Sequence, residues 1–252
     1  MGEMNKKIKK SIKNILSFSP YLVYQTLKKI NKQDRCIKDQ KKLIDNYIRN
    51  NDVKKMQIGC GSNYLEGWLN TDLNYNDKVT FLDAGTKFPI ESETFDYVYS
   101  EHLFEHLEVE EQLNMLEESF RVLKKGGVMR IATPSLEFLF KLYANPNTQE
   151  NKHYVNWAVE NIPNLRIVNN SIVDIEEQYC YVINNFFKAW GHQMIHNYTS
   201  IEKLALQCGY SQVINCNVGE SNYEMLRNIE KHGAIIPEEI NLIETMVVEI
   251  VK

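Results

Sequence analysis

Two glycines and an acid form the pattern in this sequence that is most informative about chemistry. Gly59 and Gly61 interrupt a short apolar run, and Asp72 ends the next one. A glycine turn after a strand lets the backbone approach a ligand where a Cβ atom would collide. An acid at the end of the following strand can accept hydrogen bonds from both hydroxyls of a ribose. The spacing therefore predicts a site for a cofactor that contains adenosine.

A dinucleotide cofactor fits this glycine turn poorly. Its fingerprint needs a third glycine where the helix begins and an acid about 20 residues farther along the chain. Tyr64 stands in place of that glycine, and Asp72 comes only eleven residues after Gly61. An NAD(P)-dependent oxidoreductase is therefore an alternative that the pattern disfavours.

Four histidines, in two pairs with the same spacing, are candidates for proton transfer. His102 and His106 are four residues apart, and so are His192 and His196. A histidine close to an acceptor hydroxyl can remove its proton, and we take His102, His106 and His192 as the catalytic candidates. A purely structural hydrogen bond is the alternative for each of them. Histidines at this spacing on a helix can also share a metal ion, but neither pair has the HExxH arrangement. We favour a site without a metal.

The elements that would position these residues alternate along the chain. Short apolar runs separated by helical patterns predict an α/β fold with a doubly wound, mostly parallel sheet. The predicted strands are Met56–Gly59, Trp68–Asp72, Val79–Asp83, Asp96–Ser100 and Val128–Thr133, and a long helix is predicted over Leu107–Lys124. We divide the chain into an N-terminal helical cap, 1–53, and a main domain, 54–252, in which 134–198 form an insertion. The connection between the first two strands is too short for a full crossover helix.

The composition is that of a globular protein in a reducing compartment. The chain has 252 residues, 43% hydrophobic and 25% charged, which is typical of a soluble domain. Its five cysteines are scattered and include no CxxC, which argues against a disulfide framework or a zinc knuckle. No apolar stretch reaches the ~18 residues that a spanning helix needs. These features predict a cytoplasmic protein.

Positive charge is concentrated in the cap. Residues 1–55 hold fifteen Lys and Arg against five acids, although the whole chain has a net charge of −4. Residues 5–16 predict a basic amphipathic helix, which can lie on an anionic membrane surface. A helix that packs on its own domain with a solvated lysine face is the alternative, and we favour it. No DNA- or RNA-binding motif accompanies the basic segment, so we expect no nucleic-acid partner.

Further segments resemble one enzyme family in the order expected for it. They are VTFLDA at 79–84, TFDYVYS at 94–100, EHLFEHL at 101–107, LKKGGV at 123–128 and the helix-to-strand segment 200–213. Together with residues 54–72 they resemble class I S-adenosylmethionine-dependent methyltransferases. The GWLNTD run and the late GES and HG segments at 219–221 and 232–233 are similar to a bacterial subfamily that often accompanies surface-polysaccharide genes.

The resemblance implies a cofactor, a set of residues that bind it, and a class of acceptor. The cofactor is S-adenosylmethionine. The implied cofactor-binding residues are Gly59, Cys60, Gly61, Ser62, Asp72, Leu73, Asp83, Ala84, Ser100 and Glu101. The acceptor is expected to be an oxygen of a sugar or small surface-glycan precursor, with a capsule phosphoramidate oxygen as a narrower case.

The insertion 134–198 is expected on the acceptor side, and it is rich in aromatic residues. Aromatic rings fill ordinary cores as well as binding pockets, so we expect most of them in the core. Trp190 is the one that we expect to contact a substrate. A second alternative is a non-catalytic module of the same fold that binds a membrane or a partner through the basic helix.

Overall fold

The computed structural model describes residues 39–166 and 175–252, without the side chains of 175 and 176. The predicted basic helix over 5–16 lies outside these residues, as does the rest of the predicted cap up to residue 38.

A seven-stranded sheet forms the centre of the domain. Its strands are β1 (Lys55–Ile58), β2 (Leu69–Asp72), β3 (Thr80–Phe81), β4 (Phe95–Glu101), β5 (Leu123–Pro134), β6 (Gln212–Cys216) and β7 (Thr245–Val251), in the spatial order β3-β2-β1-β4-β5-β7-β6. The first five strands pair in parallel, whereas β7 runs antiparallel to both β5 and β6. The structure confirms the predicted doubly wound, mostly parallel sheet.

Within the described residues, six α-helices follow the segment 39–50, which is also helical. They are α1 (Val109–Val122), α2 (Leu136–Ala144), α3 (Gln149–Asn161), α4 (Ile175–Lys188), α5 (Tyr198–Gln207) and α6 (Glu238–Glu244). A capping box formed by Glu108 and Glu111 fixes the start of α1, and Asn197 with Ser200 does the same for α5. Each box satisfies backbone N–H groups that the first helical turn leaves unpaired.

Two details of the sheet differ from the sequence-based expectation. The third strand has two residues rather than five, because Asp83 turns the chain away by accepting the N–H of Gly85 at 2.9 Å. The last strand, β7, was not predicted at all. Five of its seven residues are buried, Glu249 among them, so it lacks the alternation of apolar and polar residues that marks a half-exposed strand. The short connection between β1 and β2 is a turn without a helix, as the sequence indicated.

The described part of the cap belongs to the same core as the sheet. Ile44 is buried in one hydrophobic cluster with Met56 and Ile58 of β1. The side-chain amide of Gln40 donates to the carbonyl of Phe81 in β3 at 2.5 Å. Residues 39–50 therefore cover one face of the sheet. Among the described helices, none is both long and apolar enough to cross a bilayer.

The insertion builds a second core beside the carboxyl end of β5. Phe138 of α2, Tyr154 of α3 and Phe186 of α4 are buried in it and contact one another through their rings. The expectation of a core role is correct for these three aromatics. Trp190, in contrast, is 52% exposed. Four other aromatic residues of the insertion are also exposed: Phe140, Tyr143, Tyr181 and Phe187.

Candidate functional site

The predicted cofactor residues lie along one edge of the sheet. Gly59 follows β1, Asp72 ends β2, Asp83 follows β3, and Ser100 and Glu101 end β4. Because these strands are parallel, their carboxyl ends meet at the same edge, where open α/β sheets bind ligands.

Asp72 holds the glycine turn in place. Its Oδ2 accepts the N–H of Gly61 at 3.0 Å, and its Oδ1 accepts the N–H of Asn74 at 2.7 Å. Gly59 and Gly61 both have positive φ, at 69° and 52°, a conformation that favours glycine. A Cβ on Gly59 would lie 2.6 Å from the side chain of Leu103, whereas a Cβ on Gly61 would meet no protein atom within 4 Å. The turn is therefore covered by the protein at Gly59 and open at Gly61.

The residues beside the two glycines differ in their accessibility. Cys60 is buried, and burial, with the charge of Asp72, raises the pKa of its thiol to about 12. The thiol therefore keeps its proton at neutral pH. Ser62 and Leu73 are exposed, and Leu73 has 59% of its surface accessible. A large apolar side chain exposed beside an acid at the ligand-binding edge is suited to a ligand that has both apolar and hydroxyl groups.

Asp83 and Ala84 form the turn after β3. The carboxylate of Asp83 accepts the N–H of Gly85, and the carbonyl of Ala84 accepts the side-chain amide of Asn114 at 2.7 Å. The N–H of Leu82 donates to the backbone oxygen of Asp72 at 3.1 Å. This bond holds the turn at Asp83 beside the turn that follows Asp72.

Ser100 and Glu101, at the end of β4, have different surroundings. Ser100 is fully buried, and its hydroxyl has no hydrogen-bond partner in the described protein. The carboxylate of Glu101 accepts the backbone N–H groups of Lys231 and His232, both at 2.9 Å. Glu101 therefore anchors the 231–232 loop against the sheet, a role that its position in the sequence did not reveal.

His102 is held in an unusual conformation by Glu105. Its φ is 47°, in a region that residues other than glycine seldom occupy. Its Nδ1 lies 3.1 Å from Oε1 of Glu105, and its Nε2 is buried without a partner. Burial alone would lower the pKa of His102, but the hydrogen bond to Glu105 and its charge outweigh burial and raise it. The ring of His232 lies 3.8 Å from that of His102, centroid to centroid.

His106 and His192 come together beside this group, with ring centroids 4.8 Å apart. The backbone oxygen of Glu105 accepts the N–H of Gln193 at 2.7 Å, which holds the His192 segment in place. Nδ1 of His192 lies 2.7 Å from the carbonyl oxygen of Phe186. A carbonyl can only accept, so Nδ1 carries the proton and Nε2 has a free lone pair. Burial lowers the pKa of His192, which favours this neutral form.

His196 has a structural role. It is buried, with Nε2 at 3.0 Å from Oε1 of Gln112 and Nδ1 at 2.9 Å from the hydroxyl of Ser200. Gln112 gives its amide hydrogens to the carbonyls of Phe104 and Leu107. Its Oε1 can only accept, so the imidazole proton lies on Nε2. Burial lowers the pKa of His196 to about 4. The i, i+4 spacing therefore does not show which histidines lie together: His102 contacts His232, His106 contacts His192, and His196 contacts Gln112.

The two histidine groups line one cavity of about 660 Å³. Its wall combines polar groups from the sheet edge with aromatic residues from the insertion, and the residues that bear on function are His102, His106, His192, His232, Glu244 and Trp190. The sheet edge thus continues into a partly open, partly apolar space on the insertion side. The acceptor-side role of the insertion stays a prediction.

A buried ion cluster positions the loop that brings His232 to the cavity. Arg130 of β5 lies 2.6 Å from Glu230 and 2.7 Å from Glu249, and all three side chains are almost fully buried. Its Nη1 also donates to the carbonyl of Glu220 at 2.9 Å. Because Glu230 directly precedes the two residues bound by Glu101, Arg130 and Glu101 together fix the loop.

Comparison with known proteins supports a methyltransferase. Residues 63–131 match the family model described as a methyltransferase domain, a range that includes Asp72, Asp83 and Ser100 but is less than half of the chain. The match supports the general class that the resemblance implies, a methyltransferase that depends on S-adenosylmethionine. Comparison with the curated proteins gave no match.

Several solved structures are similar to about four fifths of the chain at low identity. A SAM-dependent methyltransferase from Archaeoglobus fulgidus is 17% identical, with 84% of this chain and 92% of that chain covered and a TM-score of 0.44. One from Mesorhizobium loti is 13% identical, with 79% and 91% covered and a TM-score of 0.43. Phosphoethanolamine N-methyltransferase 2 from Haemonchus contortus, in complex with S-adenosyl-L-methionine, is 16% identical, with 79% and 48% covered and a TM-score of 0.37. Such distant likenesses carry no argument about the acceptor.

Three ionisable residues that line the cavity were not among the sequence-based candidates: Glu105, His232 and Glu244. Glu105 lies between His102 and His106 in the sequence, and this neighbourhood was its available signal. His232 lies in the HG segment that carries part of the family resemblance. Glu244 gives no local signal, because it reaches the cavity only through the pairing of β7.

Proposed function

We propose that the protein transfers a methyl group from S-adenosylmethionine to an oxygen of a small polar acceptor. The observation that carries this proposal is the juxtaposition of His106 and His192 in a cavity that adjoins the carboxyl ends of β4 and β5. The match to a methyltransferase domain supports the reaction class.

The sheet edge fits the adenosine-containing part of the cofactor. Each carboxylate oxygen of Asp72 accepts one backbone N–H. Both oxygens can therefore still accept hydrogen bonds from ribose hydroxyls. The open side of Gly61 leaves room for a ligand, and the exposed Leu73 offers it an apolar surface.

His192 is our candidate for the general base. S-adenosylmethionine supplies a methyl group on a sulfonium, and in-line alignment with the acceptor oxygen provides much of the acceleration. An acceptor hydroxyl must also lose its proton. Nε2 of His192 has a free lone pair, because Phe186 fixes the tautomer and burial lowers the pKa. An oxygen of phosphoryl type is already anionic and would need no base.

For the acceptor we propose a sugar or a small surface-glycan precursor, with a phosphoramidate oxygen as the narrower case. The support is the resemblance of the GWLNTD, GES and HG segments and the mixed wall of the cavity, where the exposed ring of Trp190 lies 5.3 Å from that of His192. An aromatic face beside a base is suited to an acceptor with both apolar and hydroxyl faces.

Calorimetric titration with S-adenosylmethionine and S-adenosylhomocysteine tests the cofactor assignment. We expect Asp72→Ala to weaken binding by about 1–3 kcal/mol, the cost of leaving buried polar groups unpaired. Asp77→Ala is the matched control, because Asp77 is exposed in the loop that follows β2. If the wild-type protein binds neither ligand, or if both variants bind equally well, the cofactor assignment is wrong.

Transfer of a labelled methyl group to a panel of sugars and sugar nucleotides tests the acceptor. With a hydroxyl acceptor, His192→Ala should lower turnover by about 10²–10⁴-fold, the usual contribution of a general base, while cofactor binding is retained. His153→Ala is the control, because His153 is exposed on α3. Equal turnover in both variants would exclude His192 as the base.

The partner and location predictions rest on the sequence alone. We propose a cytoplasmic protein without a nucleic-acid partner. Membrane contact through residues 5–16 is tested by vesicle sedimentation with and without that segment, and equal sedimentation of the two forms would exclude it.

A further inference from the structure

Three side chains that line the cavity have the composition of a metal site. His102, His232 and Glu244 each present a ligand atom, and these atoms lie within 4.8 Å of one another. We propose that they bind one divalent first-row transition-metal ion. This grouping takes one histidine from the segment after β4, one from the 231–232 loop and the acid from the end of α6.

The atoms around this triad orient it as metal ligands are oriented. Nδ1 of His102 lies 3.1 Å from the carboxylate of Glu105, which leaves Nε2 to face the triad. The hydroxyl of Tyr154 donates to Oε2 of Glu244, while Oε1 of Glu244 lies 3.4 Å from Nε2 of His232. Metal-binding histidines usually donate their second ring N–H to a carboxylate or carbonyl, and metal-binding carboxylates are hydrogen-bonded in turn.

One ligand atom has no other partner. Nε2 of His102 is buried without a hydrogen bond to any described residue, and a buried polar atom left unpaired costs about 1–3 kcal/mol. His102 also adopts a positive φ of 47°, and such backbone strain is often found at functional sites. A bound ion would give this nitrogen its missing partner.

The framework holds the triad together through contacts that do not involve the ligand atoms. Glu101 binds the backbone N–H groups of Lys231 and His232, and Arg130 binds Glu230. On the other side, the N–H of Ser135 donates to the backbone oxygen of Glu244 at 2.8 Å. The segments that carry the three ligands are therefore held next to one another by buried polar contacts from β4 and from the end of β5.

The ligand set indicates the class of ion. Two imidazoles and one carboxylate suit Zn²⁺, Fe²⁺ or Co²⁺, whereas Mg²⁺ and Ca²⁺ prefer sites made of oxygen atoms. Three protein ligands leave coordination positions open, and the triad lines the cavity assigned to the acceptor. On the proposed function, an acceptor oxygen would take an open position, and the ion would lower the pKa of its hydroxyl.

A neighbouring group is less suitable. Glu105, His106 and His192 also have ligand atoms within 4.8 Å of one another. Both oxygens of Glu105 are already engaged, Oε1 with His102 and Oε2 with the hydroxyl of Thr133 at 3.0 Å. We therefore assign His106 and His192 to proton transfer and the ion to the other triad.

Calorimetric titration with Zn²⁺, after dialysis against a chelator, tests the site. We expect one ion per chain in the wild-type protein. His232→Gln and Glu244→Gln should each weaken binding by more than about 100-fold, and Tyr154→Phe by about 10–100-fold because it removes only the orienting hydrogen bond. His102→Asn tests the third ligand with a residue that tolerates the positive φ. Mg²⁺ should not bind.

Two controls separate this site from its alternatives. His153→Ala, on the exposed face of α3, should bind Zn²⁺ like the wild type, and so should His106→Ala. Circular dichroism checks that each variant is folded. No Zn²⁺ binding by the wild-type protein, binding that survives all three ligand substitutions, or binding lost in His106→Ala but kept in His232→Gln would each overturn the proposal. Cofactor titration of the metal-free protein tests the proposed function separately.

Discussion

Arg130 offers the strongest test of how the 217–232 loop is held. Its guanidinium contacts the carboxylates of Glu230 and Glu249 at 2.6 and 2.7 Å, and all three side chains are nearly inaccessible. Burial alone would lower the pKa of Arg130, but the two glutamates outweigh burial and raise it. Arg130→Met would fill a similar volume but leave two buried carboxylates without a counter-charge. Breaking one buried ion pair in this way costs about 3–5 kcal/mol, so we expect at least that loss in the free energy of unfolding.

Urea unfolding followed by far-ultraviolet circular dichroism measures this loss. Lys124→Met is the matched control, because the Lys124–Asp96 pair is partly exposed and should cost at most about 1 kcal/mol. Adding Glu230→Gln and Glu249→Gln to Arg130→Met should recover part of the stability, since no buried charge is then left uncompensated. A loss for Arg130→Met no larger than that for Lys124→Met would refute the reasoning.

Three further predictions concern single positions. Burial lowers the pKa of His196 from 6.5 to about 4, so below pH ~6.5 the unfolded chain binds the proton before the folded protein does, and the free energy of unfolding falls. Between pH ~7 and ~5 the wild type should lose about 2 kcal/mol more of this free energy than His196→Gln in denaturant titrations. Parallel pH dependences of the two proteins would contradict this. Gly59→Ala should cost about 1–3 kcal/mol in thermal unfolding because its Cβ would clash at 2.6 Å. Gly61→Ala has open space around its Cβ but the same left-handed backbone conformation, so it should cost about 1–2 kcal/mol of strain and in addition weaken cofactor binding in calorimetry. Unchanged cofactor binding, or a larger loss of stability than for Gly59→Ala, would show that the two sides of the turn are misassigned. Iodoacetamide should modify the exposed Cys180 in the native protein. It should modify the buried Cys60, whose thiol pKa is raised to about 12, only after unfolding. Peptide mass spectrometry distinguishes the two sites, and labelling of Cys60 in the native protein would contradict its burial.

The sequence predicted the fold and the sheet edge because both follow from local patterns. Gly59 and Gly61 needed only a strand before them, and Asp72 needed only to end the next strand; the structure joins these residues by a hydrogen bond of 3.0 Å. Parallel strands then place Asp83 and Ser100 at the same edge without any long-range information. The position of each residue relative to its own strand was sufficient.

The histidine groups could not be predicted in this way, because sequence spacing was a misleading guide to them. His102 and His106 are four residues apart, but a positive φ at His102 prevents them from sharing one helical face. Each has a partner that is distant in sequence: His232 for His102 and His192 for His106. His196 matches the spacing of His192 but turns inward to Gln112.

Glu244 could have been predicted beside His102 and His232 if the pairing of β7 had been known. β7 pairs antiparallel with β5, with Thr245 opposite Pro134. An antiparallel strand begins where its partner ends, so the residue before β7 must lie at the carboxyl edge of the sheet. The local sequence of β7, TMVVEIV, carries no signal of whether the strand pairs in parallel or antiparallel. Had that direction been known, the register alone would have placed Glu244 beside the end of β5, where the Glu101-bound loop brings His232 to meet it. The candidate metal site is thus a consequence of one antiparallel strand, β7, inserted between β5 and β6 of an otherwise parallel sheet.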